Sequence, residues 1–248
     1  MAPDEFALQC SREIAAQGVD KRLLAVSRDL HNAMGAYNYF YHFSWAGMPI
    51  LQTPQDIVQL QELVWRIQPD LIIETGIARG GSLILYASLL ALNATCGGPQ
   101  DAKVLGIDVD IRKHNRVKIE AHPLFNRVSM IEGSSISQDV IDKVRALAHG
   151  KDKVLVCLDS NHTHDHVLAE LEAYAPLTSV GSYCVVFDTL VDELPEENYR
   201  DRPWGPGNNP KTAVWDFLKG HPEFEIDKSI QYKLLMTAAP DGFLKRIW

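Results

Sequence analysis

The sequence predicts a doubly wound α/β fold, with a mostly parallel seven-stranded sheet and a helical appendage at the N-terminus. From residue 70 onward, short β-rich runs alternate with amphipathic stretches of helix length. Apolar runs of this length, separated by helices, are typical of a parallel sheet that is covered on both faces. Five of the runs end in an acidic residue, and these acids are Glu74, Asp108, Glu132, Asp159 and Asp188.

The helices are predicted from apolar residues that recur every three or four positions. Pro54 at a first helical position and Asp56 in the first turn predict a helix over 54–67 before the first strand. Ser137 is expected to cap a later helix through its hydroxyl. The other predicted helices cover residues 81–93, 112–121, 137–149, 163–175 and 211–218.

The pattern changes after the fifth strand. Residues 192–209 are rich in acids, Pro and Gly, and this composition predicts a loop beside the carboxyl edge of the sheet. Two terminal strands, near 224–226 and 243–247, complete the sheet, and the last is expected to be a hairpin edge. Because no repeat or low-complexity tract interrupts residues 51–248, they are expected to form a single domain.

Residues 1–50 are expected to form the appendage, helical over 4–16 and 21–32. It ends in an aromatic cluster, Tyr37, Tyr39, Phe40, Tyr41, Phe43 and Trp45. Because such a patch must be covered, we expect it to pack against the body or another subunit, and a homo-oligomer is predicted. A substrate lid is the alternative.

Composition and charge exclude several classes of protein. The chain has 248 residues, 46% of them hydrophobic, and a net charge of -8. The acidic balance argues against a nucleic-acid or membrane-surface partner, since both need surplus cations. The apolar stretch over 83–92 is too short to span a bilayer, and no secretory signal is recognised. The cysteines, Cys10, Cys96, Cys157 and Cys184, form no CxxC pair, so reduced thiols and a cytoplasmic protein are expected.

The turn after the first strand determines which cofactor is expected. Gly76, Gly80 and Gly81 let a ligand approach the backbone, and the following helix offers free amides. Glu74 would repel the pyrophosphate of NAD but attract the ammonium and sulfonium of S-adenosylmethionine, which is the predicted cofactor. A glycine-rich turn that serves only helix packing is the alternative.

The residues at the next two strand ends are suited to bind the ribose and the adenine of the cofactor. Asp108 lies where the ribose-binding acid of nucleotide sites belongs, and Asp110 competes for this role. Ser135 closes the small polar segment 132–135, which is suited to an adenine edge or to a plain strand-to-helix turn.

Three histidines follow the fourth strand and indicate metal binding or proton transfer. If Thr163 caps the next helix, His162 stays in the loop facing the cofactor. His164 and His166 then begin the helix, as site residues or as surface or capping groups. Asp159 and Asp188 could share a hard cation such as magnesium, or cap helices instead.

These motifs resemble the cephalosporin hydroxylase family. The resemblance is carried by ILQTPQDIVQLQEL (50–63), PDLIIETGIARGGSLILYASLL (69–90), GIDVDIR (106–112), VLVCLDSNHTHDHVLAELEAYAPLTSVGSY (154–183), FDT (187–189) and GPG (205–207). It implies the Rossmann-like class I S-adenosylmethionine methyltransferase fold, and an O-methyltransferase that acts on sugars or natural products.

The resemblance also implies roles for individual residues. Cofactor contacts are implied at Glu74, Gly76, Arg79, Ser82, Asp108, Ser135 and Asp159. A magnesium site is implied at Asp159 and Asp188. Family members carry Glu-Asp where this chain has Phe187-Asp188, so one oxygen ligand is missing.

The predicted function is O-methyl transfer from S-adenosylmethionine to a small-molecule hydroxyl acceptor. Asp159 and Asp188 would hold the hydroxyl, with magnesium assisting, and His162 would take its proton. Two alternatives stay open: an oxidoreductase or hydroxylase using a nicotinamide or a metal, and a non-catalytic partner that binds the cofactor.

Overall fold

The computed structural model describes residues 4–248. The helices are α1 (Glu5–Gln17), α2 (Lys21–Gly35), α3 (Pro54–Ile67), α4 (Gly81–Thr95), α5 (Lys113–Glu120), α6 (Gln138–Ala148), α7 (His164–Tyr174), α8 (Pro210–Gly220) and α9 (Lys228–Leu234). The strands are β1 (Phe43–Trp45), β2 (Met48–Ile50), β3 (Leu71–Thr75), β4 (Lys103–Asp108), β5 (Val128–Glu132), β6 (Val154–Leu158), β7 (Tyr183–Val186), β8 (Phe224–Ile226) and β9 (Phe243–Arg246). In the predicted loop, short 3-10 turns cover Thr189–Glu193 and Glu196–Tyr199.

Seven strands form one sheet in the order β5-β4-β3-β6-β7-β9-β8. The first five in this order run parallel, whereas β9 is antiparallel to both β7 and β8. The predicted doubly wound, mostly parallel seven-stranded sheet is confirmed. The hairpin edge expected for the last strand is wrong, because β9 pairs on both sides and β8 forms the edge.

The order of the strands reverses at β3. The chain adds β4 and β5 on one side of β3, and then β6 and β7 on the other. Ligands of open α/β sheets bind at such a switch point, outside the carboxyl ends of the strands. The topology therefore predicts a ligand site at the carboxyl ends of β3 and β6.

Each face of the sheet is covered by its own apolar core. Ile72 of β3 belongs to the core that contains Leu60 of α3 and Leu83 of α4. The next residue, Ile73, belongs to the opposite core, with Leu171 of α7. Because successive side chains of a strand point to opposite faces, burial on both faces explains the continuous apolar runs of the sequence.

The beginnings of the helices differ in how they are capped. Thr53 caps α3 as a Ser or Thr should, since its hydroxyl oxygen accepts from the amide of Asp56 at 3.1 Å. The cap predicted for Ser137 is wrong. Ser137 precedes α6, but its hydroxyl donates to the carbonyl of Ser134 at 2.8 Å and makes no capping bond to the helix.

The appendage is attached to the body near α9. The Gln17 side chain donates to the carbonyl of Lys233 at 3.2 Å, and the Ser27 hydroxyl donates to the carbonyl of Leu235 at 2.8 Å. Because the partners are backbone carbonyls, side-chain changes along α9 leave them in place. The two N-terminal helices are thus joined to a short helix that the sequence analysis did not predict.

An unpredicted hairpin, β1–β2, contains the end of the aromatic cluster. Its turn consists of Ala46 and Gly47, both with positive φ, which is the two-residue hairpin geometry. Phe43 and Trp45 pack against the core, and the Trp45 indole donates to the Ser88 hydroxyl at 2.9 Å. The expected packing against the body therefore holds for these two aromatics.

Two expectations about the chain as a whole can be compared with the structure. Among residues 4–248, no helix combines the length and the apolar character that crossing a bilayer requires. Cys157 and Cys184 are buried, as expected from their apolar surroundings, and the four cysteines are free thiols.

Gly242 offers a test of the position of β9. A Cβ at this residue would overlap the carbonyl oxygen of Val186, and the Gly242 carbonyl accepts from the Val186 amide at 2.8 Å. We expect Gly242→Ala to lower the free energy of unfolding by roughly 1–3 kcal/mol, the usual cost of overpacking. Urea unfolding would measure it. Gly220→Ala is the control, because a Cβ there meets nothing within 4 Å, and an equal loss in both variants would contradict the β9 placement.

Candidate active site

A cavity of about 840 Å³ lies outside the carboxyl ends of β3 and β6. Its walls come from the turn after β3, the end of β6, the segment after β7 and helix α2. The predicted site residues that line it are Gly76, Arg79, Ser82, Asp159, His162 and Asp188. Glu74, Asp108 and Ser135 are not among its lining residues.

Gly76 brings two loops of the site into contact. Its φ of 91° lies in the left-handed region, and a Cβ would overlap the carbonyl oxygen of Asp159. Its amide donates to the carbonyl of Ile107 at 2.8 Å. Only glycine satisfies both constraints, so the turn after β3 lies directly against the end of β6.

Asp108 holds the glycine-rich turn in place. One of its carboxylate oxygens accepts from the amides of Ile77 at 2.9 Å and Ala78 at 3.2 Å. The other accepts from the amide of Asp110 at 3.1 Å. Asp110 itself is exposed and pairs with Arg112 at 3.9 Å. Of the two acids proposed for the ribose, only Asp108 contacts the turn.

Glu74 is a buried carboxyl without a countercharge. It is 2% exposed, its Oε2 atom has no hydrogen-bond partner, and among residues 4–248 it forms no ion pair. Burial, reinforced by the charge of Asp108, raises the pKa of Glu74 to about 8, against the opposing effect of a hydrogen bond with Ser82. Such a group gains a partner when a cation binds beside it, so it fits the ammonium and sulfonium of S-adenosylmethionine.

Asp159, His162 and Asp188 form a compact group on the cavity wall. Each offers one ligand atom, and these atoms lie within 4.8 Å of one another. Burial, and then the charges of Asp188 and Glu74, raise the pKa of Asp159 well above its usual range. Gln52 donates to Asp159 at 3.3 Å. Two carboxylates and one imidazole can bind a divalent cation whose remaining ligands are water.

Phe187 does not take part in this group. It is buried in the core on one side of the sheet, so it supplies no oxygen ligand at the position where the sequence resemblance implies an acid. Asp188 follows with φ of 55°, a left-handed conformation that a non-glycine residue adopts at a cost. This strained residue faces the cavity.

The orientation of His162 is determined by two neighbours. Its Nε2 atom lies 3.1 Å from Asp188 Oδ2. The indole of Trp204 packs against the imidazole edge-on, with ring centroids 4.8 Å apart. A histidine held in this way beside a carboxylate is suited to proton transfer.

His164 and His166 do not line the cavity. His164 contacts α8, with its Nδ1 atom 2.9 Å from the Thr212 hydroxyl. The His166 Nε2 atom lies 3.1 Å from the Ser135 hydroxyl and 3.2 Å from the Ser160 hydroxyl. His166 therefore links the loops after β5 and β6.

Glu132 does not line the cavity either. This acid ends β5, but it is exposed and pairs with Arg116 at 2.6 Å. The row of five acids predicted from the strand ends therefore divides. Three acids, Glu74, Asp159 and Asp188, gather beside the cavity, while Asp108 holds a turn and Glu132 lies outside.

Sequence reasoning missed several cavity residues. Gln52, His31, Tyr199, Arg202 and Trp204 line the cavity but are not among the predicted site residues. No spacing motif marks them, because they are brought together only by tertiary packing. The acids and glycines were recognisable since each follows a strand.

The sequence model of the "Rhamnosyl O-methyltransferase/CmcI" family matches residues 37–247. The chain belongs to the rhamnosyl O-methyltransferase/CmcI family. The predicted membership in the cephalosporin hydroxylase family is thereby confirmed, and this member of the CmcI family is an S-adenosylmethionine-dependent O-methyltransferase. The family gives no support to the oxidoreductase alternative.

Relatives and solved structures agree with this assignment. The chain is 28% identical over 225 residues to the Rhamnosyl O-methyltransferase of Mycobacterium tuberculosis (strain ATCC 25618 / H37Rv), covering 90% of this chain and 85% of the relative. The Mycobacterium leprae (strain TN) protein of the same name is 28% identical over 207 residues, with 82% of each covered.

The fold of this CmcI-family member is that of class I methyltransferases. An apo-structure of CmcI superposes with a TM-score of 0.58 at 19% identity, covering 84% of this chain and 77% of that chain. The O-methyltransferase from Bacillus cereus in complex with SAH gives 0.52 at 16% identity, with 81% of each covered. At these identities, the likeness establishes the fold alone.

The buried carboxyl of Glu74 makes the stability of the cofactor-free enzyme depend on pH. Its folded pKa of about 8 lies above its ordinary value of 4.5. Between these values the folded chain keeps the proton and the unfolded chain has lost it, so Glu74 lowers stability as pH rises through this window. We expect the free energy of unfolding of Glu74→Gln, minus that of the wild type, to increase over the same window.

Urea unfolding at a series of pH values would measure this difference. Glu225→Gln is the matched control, since Glu225 is exposed on the edge strand β8. A difference for Glu74→Gln that varies with pH no more than the difference for Glu225→Gln would show that the Glu74 carboxyl is not perturbed by burial.

Proposed function

We propose that the enzyme methylates a hydroxyl group of a sugar, free or carried on a natural product, with magnesium assisting and His162 taking the proton. The observation that carries the proposal is that the Gly76 turn and the Asp159–His162–Asp188 group share one cavity, with the buried Glu74 carboxyl close enough to raise the pKa of Asp159. The sugar is supported by the relatives, which are named rhamnosyl O-methyltransferases.

The cofactor is assigned to the wall formed by the turn after β3. Gly76 allows close approach to the backbone, and Glu74 lies behind Ser82 to balance positive charge. Arg79 is exposed on the turn and forms no ion pair within residues 4–248, so it is assigned the cofactor carboxylate.

The adenosine end is assigned to the neighbouring loops. Asp108, which holds the turn, is the proposed ribose ligand, and Ser135 the proposed adenine contact. Because His166 connects Ser135 to the loop after β6, the two ends of the cofactor site are mechanically linked. Asp159 completes the proposed cofactor contacts.

Magnesium would be held by Asp159 and Asp188. When bound, S-adenosylmethionine supplies a methyl group on a sulfonium, and magnesium lowers the pKa of a hydroxyl that coordinates it. Asp159 and Asp188 orient the acceptor hydroxyl toward the cofactor wall. The structure of CmcI with Mg and SAM is consistent with a cation in proteins of this fold.

His162 is the proposed general base. With Nε2–H donating to Asp188 Oδ2, the lone pair of the imidazole lies on Nδ1, and that atom takes the proton of the acceptor hydroxyl. The Asp188 carboxylate stabilises the imidazolium that results. Trp204 restricts the ring to this orientation and excludes water from one side.

We also propose the wider organisation expected from the sequence. Residues 1–50 are an appendage to a single domain over 51–248. The enzyme works in the cytoplasm as a homo-oligomer, without nucleic-acid or membrane partners. Self-association is supported by Tyr37 and Tyr41, which remain 77% and 59% exposed.

His162→Ala tests the base. Loss of a positioned base should lower kcat by about 10²–10⁴, while the affinity for S-adenosylhomocysteine stays within about twofold, since the cofactor wall is untouched. Steady-state kinetics and calorimetry measure the two quantities. His164→Ala is the control because His164 faces α8, and equal kcat in both variants would remove His162 from the reaction.

Incubation of the wild type with S-adenosylmethionine, magnesium and methyl rhamnoside tests the reaction itself. We expect a methyl ether of the rhamnoside by mass spectrometry, with turnover reduced by EDTA and restored by added magnesium. NADH should not bind in calorimetry. Failure of S-adenosylhomocysteine to bind, or the absence of a methyl ether, would overturn the proposed function.

A further inference from the structure

A histidine of the appendage lies in the cavity wall and is not used by the proposed chemistry. His31 of α2 is 2% exposed and lines the cavity. Its Nε2 atom is buried, and no atom of residues 4–248 forms a hydrogen bond with it. A buried polar atom without a partner is costly, and a ligand in the cavity that supplied the partner would remove this cost.

The position of His31 is determined by a contact of its ring and by contacts of its helix. Phe40 packs against it with ring centroids 5.1 Å apart. Helix α2 is connected to the segment after β7, because Arg28 pairs with Glu193 at 3.6 Å and the Asn198 amide donates to Asn32 at 3.0 Å. Positions 28, 31 and 32 share one helix face, so this face is turned to the acceptor side of the cavity.

The His31 ring is neutral at physiological pH. Burial lowers its pKa to about 4, although the charges of Asp188 and Glu193 act in the opposite direction. A neutral imidazole has one N–H donor and one acceptor nitrogen. A hydroxyl group likewise donates and accepts, so it can pair with either nitrogen of the neutral ring, whereas an ionised carboxylate can only accept.

We propose that His31 binds a second hydroxyl group of the acceptor, while Asp159 and Asp188 hold the hydroxyl that is methylated. This inference rests on the proposed function and deepens it: the substrate class is a polyhydroxylated ring, and the N-terminal appendage is part of the acceptor site. An acceptor with one hydroxyl leaves Nε2 without a partner. His31 is thus a specificity-determining residue.

Three variants separate this role from packing. His31→Phe keeps a ring against Phe40 but removes both nitrogens. His31→Gln places an amide nitrogen near the position of Nε2. His42→Ala removes an exposed histidine from the same appendage and is the control.

With methyl rhamnoside as acceptor, we expect His31→Phe to raise the KM for the rhamnoside roughly tenfold, the usual effect of losing one buried hydrogen bond. The kcat and the KM for S-adenosylmethionine should stay within about twofold of the wild type. His31→Gln should recover most of the loss, and His42→Ala should match the wild type. An unchanged KM for the rhamnoside in His31→Phe overturns the inference.

Acceptor analogues identify the hydroxyl that His31 contacts. In the wild type, replacing one particular ring hydroxyl of methyl rhamnoside by hydrogen, other than the methylated one, should raise KM as much as His31→Phe does. In His31→Phe, the same replacement should raise KM no further, because the contact that it removes is already absent and the two changes are not additive. Fully additive losses for every analogue would show that His31 does not touch the acceptor.

The two hypotheses fail in different ways. A wild-type enzyme that forms no methyl ether on the rhamnoside overturns the proposed function and this inference together. A wild-type enzyme that is active, and whose KM for the rhamnoside equals that of His31→Phe, overturns the inference alone.

Discussion

The structure of the site depends on closely spaced carboxyl groups that pair with no Lys or Arg within residues 4–248. Glu74 and Asp159 are brought together where β3 and β6 lie side by side, and neither forms an ion pair within residues 4–248. Asp188 adds a third carboxyl from the next strand. Burial of Glu74 and Asp159 disfavours their ionised forms, and a positively charged ligand stabilises those forms. Charge balance is therefore the reason that a sulfonium cofactor, and the divalent cation proposed above, would suit this site.

Hydrogen bonds from side chains hold the loops around these acids in place. The Asp108 carboxylate accepts hydrogen bonds from two amides of the glycine-rich turn. An acid that the sequence predicts to bind a ligand therefore also stabilises the turn. His166 likewise connects the loops after β5 and β6 through hydrogen bonds with Ser135 and Ser160. The residues of the site are consequently coupled to one another through hydrogen bonds within the protein.

The sheet and the acid-bearing strand ends could be predicted from the sequence because their signals are local. An apolar run followed by an acid is visible within ten residues, and the parallel topology places the ends at one edge. The hairpin β1–β2 escaped because its turn uses Ala46 at positive φ, where Asn is the usual signal. The interior position of β9 is determined by pairing with distant strands. His31 and Trp204 escaped for the same reason, since their role depends on which remote segments the fold places opposite them.

The contact between Gly76 and the Asp159 carbonyl limits how this enzyme can diverge. No side chain can be introduced at position 76 without displacing the backbone that carries a proposed metal ligand. Single substitutions at this contact are thus expected to disrupt the site. New acceptor preferences would have to arise in α2 and in the segment after β7, which border the same space but leave the cofactor side unchanged. Descendants of this protein should differ in what they methylate sooner than in how they do it.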